Sequence, residues 1–170
     1  MARDFVRDLG LLTLGSRMKR IGERLQSEAT RIAAARGATA QASQYPFLGA
    51  LDARGELTIG ELAAALGITQ PGVTHGIGEL SRQRLVKVRP GRADQRQRII
   101  SLTAKGRAEV ALAKRAVWPA VAASVEDLCR DFAAPLLDHL ATIEAGLAEK
   151  PLDARVPVNA VVGAGKRKLR

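Results

Sequence analysis

A mainly α-helical fold with a small β-wing is the class this sequence predicts, and three observations carry it. Glu56 to Gly106 holds two short helical patterns separated by a tight turn. The stretches on either side repeat apolar residues at spacings of three and four, the period of a helix with one buried face. Between them, Val86 to Leu102 reads as two strands joined by an arginine-rich turn. From Arg82 to Arg98 there are seven basic residues (82, 84, 87, 89, 92, 96 and 98) against one acid, Asp94. A hairpin this basic directly behind a helix–turn–helix is a winged helix–turn–helix, here with long helices at both ends of the chain.

Taken in order, residues 1–37 supply a loose arm over 1–7 and a long helix from about Asp8 to Arg36, stopped by Gly37. Leu11, Leu14, Met18, Ile21, Leu25 and Ile32 follow coiled-coil-like spacing, so this stripe serves the core or a partner. Arg17, Lys19, Arg20, Arg24 and Arg31 form its basic face. Residues 38–106 hold the winged unit. It opens with a helix over Gln44 to Arg54, entered through Tyr45-Pro46 and ended by Gly55. Thr58 and Glu61 then have the spacing of a capping box, in which each side chain satisfies the other residue's N–H. Gly67 stands where a helix end needs positive φ. Thr69 caps the second helix and Pro71 falls in its first turn, where a missing N–H is harmless. Val73, Ile77 and Leu80 line its buried face.

Strands are expected over Val86 to Arg89 and Gln97 to Leu102. Thr103 caps a helix running to about Cys129, kinked where Pro119 removes one hydrogen bond. Residues 107–150 end in a helix from Asp131, with Phe132, Leu136, Leu140, Ile143 and Leu147 on one side. The tail, 151–170, is broken by prolines and glycines and ends Lys-Arg-Lys-Leu-Arg, so its last residues are expected to be disordered. That cluster reads as solvated charge or as non-specific phosphate contacts.

Composition narrows the function. A chain of 170 residues is long enough for one domain with a real core. A formal charge of +10 and a pI near 10.8 favour a polyanionic partner. Aromatic residues are only 3% of the chain, which argues against stacking on single-stranded bases. Cys129 is the lone cysteine and fits a reducing compartment. No apolar run approaches the ~20 residues that span a membrane, so a cytoplasmic protein is expected. His75 and His139 have no metal-ligand spacing with that cysteine, and no phosphate-binding glycine loop or nucleophile arrangement is present. No catalysis, metal or cofactor is expected.

With Val73, Ile77 and Leu80 turned inward, Gln70, Thr74, His75 and Gly78 face outward, and Gly72 is near the N-terminal end of the helix. Gln70 suits a bidentate pair with adenine, and Thr74 a base edge or a thymine methyl. The alternative for each is plain solvent exposure. Gly72, Gly76 and Gly78 each lower helix propensity by about 1 kcal/mol. Close approach of the backbone to a groove would account for them; at Gly76, close packing on a neighbouring helix would do so equally. Arg92 and Arg96 suit the electronegative minor groove. Arg82, Arg84, Lys87, Arg89 and Arg98 read as phosphate contacts mixed with solvated charge.

Gly60-Glu61-Leu62-Ala63, Gln70-Pro71-Gly72-Val73-Thr74, Leu80 with Leu85-Val86, Asp94-Gln95-Arg96 and Leu102-Thr103-Ala104-Lys105-Gly106 occur in an order and spacing that resembles the MarR family of bacterial transcriptional regulators. Asp94-Gln95-Arg96 matches that family's Asp-x-Arg wing motif, a resemblance that implies Asp94 pairs with an arginine and fixes the wing. The resemblance covers about residues 8–150. It implies a homodimer built from terminal helices, with Leu11, Leu14, Met18, Ile21, Leu140, Ile143 and Leu147 in the interface. Two reading heads roughly 34–36 Å apart would then require a pseudo-palindromic operator on double-stranded DNA.

It also implies a repressor relieved by a small aromatic effector, often a phenolic or aromatic acid, held between the dimer helices and the winged unit. Tyr45, Phe47 and Trp118 would line such a cleft or simply pack the core. Cys129 lies away from the family's usual N-terminal sensor and reads as an inert thiol. Leu14 to Leu25 also resembles a subgroup fused to an acetyltransferase, but no second module is expected after Pro151. The competing reading is an architectural DNA binder with little sequence preference and no ligand. A winged module that binds protein fits poorly, because interface cores are depleted of charge.

Overall fold

Gly10 takes a φ of +59° and divides the expected N-terminal helix. A short helix, α1 (Phe5–Asp8), and a single 3-10 turn (Gly10–Thr13) precede α2 (Leu14–Ala34). From Asp4 onward the expected arm is held in place: the Asp4 carboxylate accepts from the two terminal Arg20 nitrogens at 3.1 and 2.9 Å, and the Thr13 hydroxyl donates to the Val6 carbonyl. Leu11 therefore sits on the 3-10 turn and is off the α2 stripe. The computed structural model describes residues 4–91 and 95–156. Its chain divides into two compact units, 1–123 and 124–170.

In the first unit, Gly37 (φ +79°) stands beyond the end of α2, as its sequence position predicts. A 3-10 turn (Ala42–Gln44) leads into α3 (Tyr45–Arg54), with Pro46 in its first turn and Gly55 (φ +80°) at its end. Leu57 and Thr58 form a short strand, β1, that the sequence pattern does not show. Helix α4 (Ile59–Leu66) begins with the expected capping box: Glu61 N–H donates to Thr58 Oγ1 at 3.2 Å and Thr58 N–H to Glu61 Oε2 at 2.7 Å. The Thr58 N–H first, and then the Thr58 hydroxyl donating to the same Oε2 at 2.8 Å, hold the Glu61 carboxyl below its usual range. Gly67 then turns left-handed at φ +64°.

Helix α5 (Gln70–Arg82) leads to β2 (Val86–Pro90) and β3 (Arg98–Leu102). The sheet is antiparallel in the order β1-β3-β2, with Leu57 opposite Ile100 and Val88 opposite the same residue from the other side. Leu48, Leu62, Val73, Leu80, Leu85, Ile100, Val110 and Val117 are the largest fully buried side chains among the described residues, and they tie helices to sheet. Each Leu or Ile removed from water in this way contributes about 1.5–3 kcal/mol.

The helix after Thr103 is not continuous. It consists of α6 (Ala104–Leu112), a π-helical turn (Ala113–Val117) and α7 (Trp118–Leu128). Trp118 N–H reaches back to the Ala113 carbonyl, one residue further than in an α-helix. The wide turn ends two residues before Pro119, which has no N–H to continue the ladder, so the irregularity expected there takes the form of a π turn. In the second unit, α8 (Ala133–Glu149) starts two residues later than Asp131 and has no side-chain cap. Pro151 to Val156 folds back on it, with Arg155 Nε donating to the Lys150 carbonyl at 2.8 Å. Cys129 is buried in this unit. The disorder expected of the last residues concerns positions outside the described ones.

Candidate nucleic-acid interface

Helix α5 is oriented by its apolar face. Thr69 Oγ1 accepts from Gly72 N–H at 3.3 Å, Pro71 fills the first turn, and Val73, Ile77 and Leu80 are buried. Gln70, Gly72, Thr74, His75 and Gly78 are exposed, on the opposite side. The Thr74 hydroxyl already donates to the Gln70 carbonyl at 2.9 Å, which leaves its lone pairs to accept and its methyl group to make apolar contact. Gly76 differs from the other two glycines: a Cβ there would lie 2.7 Å from Phe47 Cζ, so its absence lets α5 pack on α3.

The turn from α5 into the wing is held unusually firmly. Among the described residues Arg84 is the non-glycine residue with positive φ, at 60°. Its N–H reaches the Ser81 carbonyl and Leu85 N–H reaches Leu80, a Schellman ending with arginine where glycine is usual. The segment Leu102 to Gly106 clamps that turn. Thr103 N–H donates to the Leu85 carbonyl at 3.0 Å, the Thr103 hydroxyl to the Arg84 carbonyl at 2.7 Å, and Lys105 Nζ to the Gln83 carbonyl at 3.0 Å. A Cβ on Gly106 would fall 2.0 Å from the Leu85 carbonyl oxygen, so only glycine fits there. The wing is thereby set at a fixed angle to α5.

That angle brings wing and helix onto one concave surface. Gln70 shares a cleft of about 540 Å³ with Arg96, Gln97 and Arg98. Thr74 and Gly78 share an adjoining one with Val88 and Arg98. Gly72 and His75 lie outside both clefts. Arg82 is exposed and pairs with Glu79 at 2.7 Å, and Arg89 pairs with Glu56. Part of the basic excess is thus neutralised within the fold. Arg92 and Asp94 lie outside the described residues, while Arg96 is exposed.

The aromatic residues separate. Tyr45 and Trp118 meet edge to face, with ring centroids 6.2 Å apart, on a groove lined also by Ala29, Ala42, Pro46, Val117, Val121 and Ala122. Phe47 does not line that groove; it is buried against Gly76. Behind Tyr45 lies Glu109, buried, which sequence reasoning missed. Its carboxylate accepts from Thr39 N–H, Thr39 Oγ1 and Ala40 N–H, each at 2.9 Å, and from the Tyr45 hydroxyl at 3.4 Å. Burial first, then the adjacent Glu109 charge, pushes the Tyr45 phenol up to about 12.

Leu11, Leu14 and Ile21 are exposed in the first unit and Met18 is half-buried; Ile143 and Leu147 are exposed on α8 of the second, with Leu140 half-buried. Among the described residues no group of three or more His, Cys, Asp or Glu is placed to hold a metal ion. No helix there is long and apolar enough to cross a membrane.

Residues 37–97 match the sequence profile of the MarR family. Among solved structures, the transcriptional repressor CouR, bound to a 23-mer DNA duplex, is 31% identical, with a TM-score of 0.65 over 80% of this chain and 96% of CouR. A cysteine-to-serine mutant of MarR from E. coli, complexed with operator DNA, is 19% identical with a TM-score of 0.63 over 86% of this chain and 98% of its own. The PcaV regulator from Streptomyces coelicolor, in complex with its natural ligand, is 17% identical with a TM-score of 0.65 over 88% and 99%. The last two likenesses bear on the fold alone. No curated protein sequence matches the chain.

Proposed function

Because the chain belongs to the MarR family of transcription regulators, we propose that it is a homodimeric repressor, read from a pseudo-palindromic operator and released by a small ligand. Members of that family are regulators, not enzymes. The observation that carries the proposal is the shared surface: Gln70 of α5 lines one cleft with Arg96 and Arg98 of the wing, and Thr74 lines an adjoining one with Arg98. A helix in the major groove and a basic wing beside it would engage neighbouring stretches of one duplex. CouR, the relative with 31% identity, is itself a repressor bound to duplex DNA. In this reading Gln70, Gly72, Thr74 and His75 meet base edges. Arg92 and Arg96 enter the minor groove with Asp94 bracing the wing, and Arg82 meets phosphate. Leu11, Leu14, Met18 and Ile21, with Leu140, Ile143 and Leu147, join two copies, and the protein works in the cytoplasm. The ligand acts by preferring a dimer with a different spacing between reading heads.

The test is fluorescence anisotropy on DNA from upstream of the protein's own gene and on random duplex, across a salt series. A regulator of its own promoter stays much tighter on that DNA at physiological salt. Equal affinities that collapse together with salt leave only the electrostatic term. That outcome favours an architectural binder, for which a charge of +10 would suffice.

A further inference from the structure

We infer that the groove between α2, α3 and α7 takes an uncharged aromatic ligand and rejects its anionic analogue. The groove, about 540 Å³, is walled by alanines, Pro46, Val117, Val121 and the two rings of Tyr45 and Trp118. Among the described residues its lining contains no lysine, arginine or histidine. Its one ionisable group is the Tyr45 phenol, whose proton is directed at the Glu109 carboxylate. Glu109 is itself buried, with hydrogen bonds but no cation among them. An acid entering the groove would lose water, find no positive partner in its walls and stand near a fixed negative charge. A buried charge without a partner costs far more than a neutral ring of the same shape. Aromatic walls set edge to face favour a flat, apolar occupant. The cleft beside Gln70 is a different case, since Arg96 and Arg98 line it together with Glu61. The aromatic acid that the family resemblance implies is therefore the wrong ligand for this groove.

The inference rests on the ligand-responsive reading only for its consequence, loss of DNA; binding is measured without DNA. Trp118 is the single tryptophan and lies in the wall, so its emission reports occupancy. The probes are N-phenyl-1-naphthylamine and 8-anilino-1-naphthalenesulfonate, one ring system without and with an anion. The neutral probe should quench Trp118 saturably, and the sulfonate should bind at least about tenfold more weakly, the equivalent of 1.4 kcal/mol. Ala122→Phe, which fills the groove, should abolish the neutral response. Ala29→Arg, which supplies the missing cation, should move the preference toward the sulfonate. Equal or tighter binding of the sulfonate by the unaltered protein would overturn the inference, as would a neutral response that survives Ala122→Phe. A failure of the repressor reading shows elsewhere, in the anisotropy series, and leaves these titrations intact.

Discussion

Three glycines in one thirteen-residue helix set a problem that geometry resolves residue by residue. Gly76 is a packing glycine. An added methyl would press on the Phe47 ring at 2.7 Å, so Gly76→Ala should destabilise the fold by about 1–3 kcal/mol in denaturant unfolding. Gly78 has no neighbour within 4 Å, so Gly78→Ala should raise stability by about 1 kcal/mol through helix propensity alone. If the backbone there approaches DNA, the same change lowers operator affinity while the fold gains; unchanged affinity sinks that idea. Arg96 is tested differently, because phosphate and minor-groove charges act through counterion release. Arg96→Ala should weaken binding and reduce the salt slope by about one unit. An unchanged slope would place Arg96 outside the interface.

At the level of elements, the features legible in the sequence are those decided locally. Thr58 with Glu61, Gly67, Thr69 with Pro71, and Thr103 all do what their spacing indicates, because a cap involves residues three or four apart. The buried face of α5 was legible for the same reason. What was not legible depends on partners distant in sequence. Glu109 looks like any helix-surface acid, yet its hydrogen-bond partners are Thr39, Ala40 and Tyr45. Arg84 adopts the left-handed conformation because Thr103 and Lys105 clamp the turn around it, and nothing local signals that. The residues for direct reading on α5 could be named from periodicity, whereas the cleft joining them to Arg96 required the fold.

Glu109 ties α6 to the loop before α3, and Tyr45, the only tyrosine, makes that tie measurable. Its folded pKa of about 12 lies above the ordinary 10.0, so the associated stability is fully present below about pH 10 and is lost as pH rises through about 12. The phenolate absorbance step should therefore lie near pH 12. Glu109→Gln should lower it but leave it above the ordinary value, because burial is the larger cause. A step unmoved by that substitution would deny the coupling.

At the scale of the whole molecule, the chain presents apolar surface that a monomer has no use for. Phe5, Leu11 and Leu12 are 69%, 87% and 82% exposed, and Leu14 and Ile21 continue the exposure along α2. Exposed apolar residues gathered on one segment mark a partner surface. On the dimeric reading proposed above, a second copy is the partner, which also makes sense of a reading head with only one recognition helix. The native protein should sediment at twice its 18.1 kDa chain mass, and a Leu11→Asp, Leu14→Asp double variant should sediment as a monomer. Binding to a full palindrome should then fall on the order of a hundredfold, because linking two heads makes the second contact intramolecular. Binding to an isolated half-site should barely change, since α5 and the wing are untouched. If the variant remains a dimer, the N-terminal stripe is not the interface. If half-site binding falls as far as palindrome binding, these leucines support the winged unit itself, and the two copies meet elsewhere.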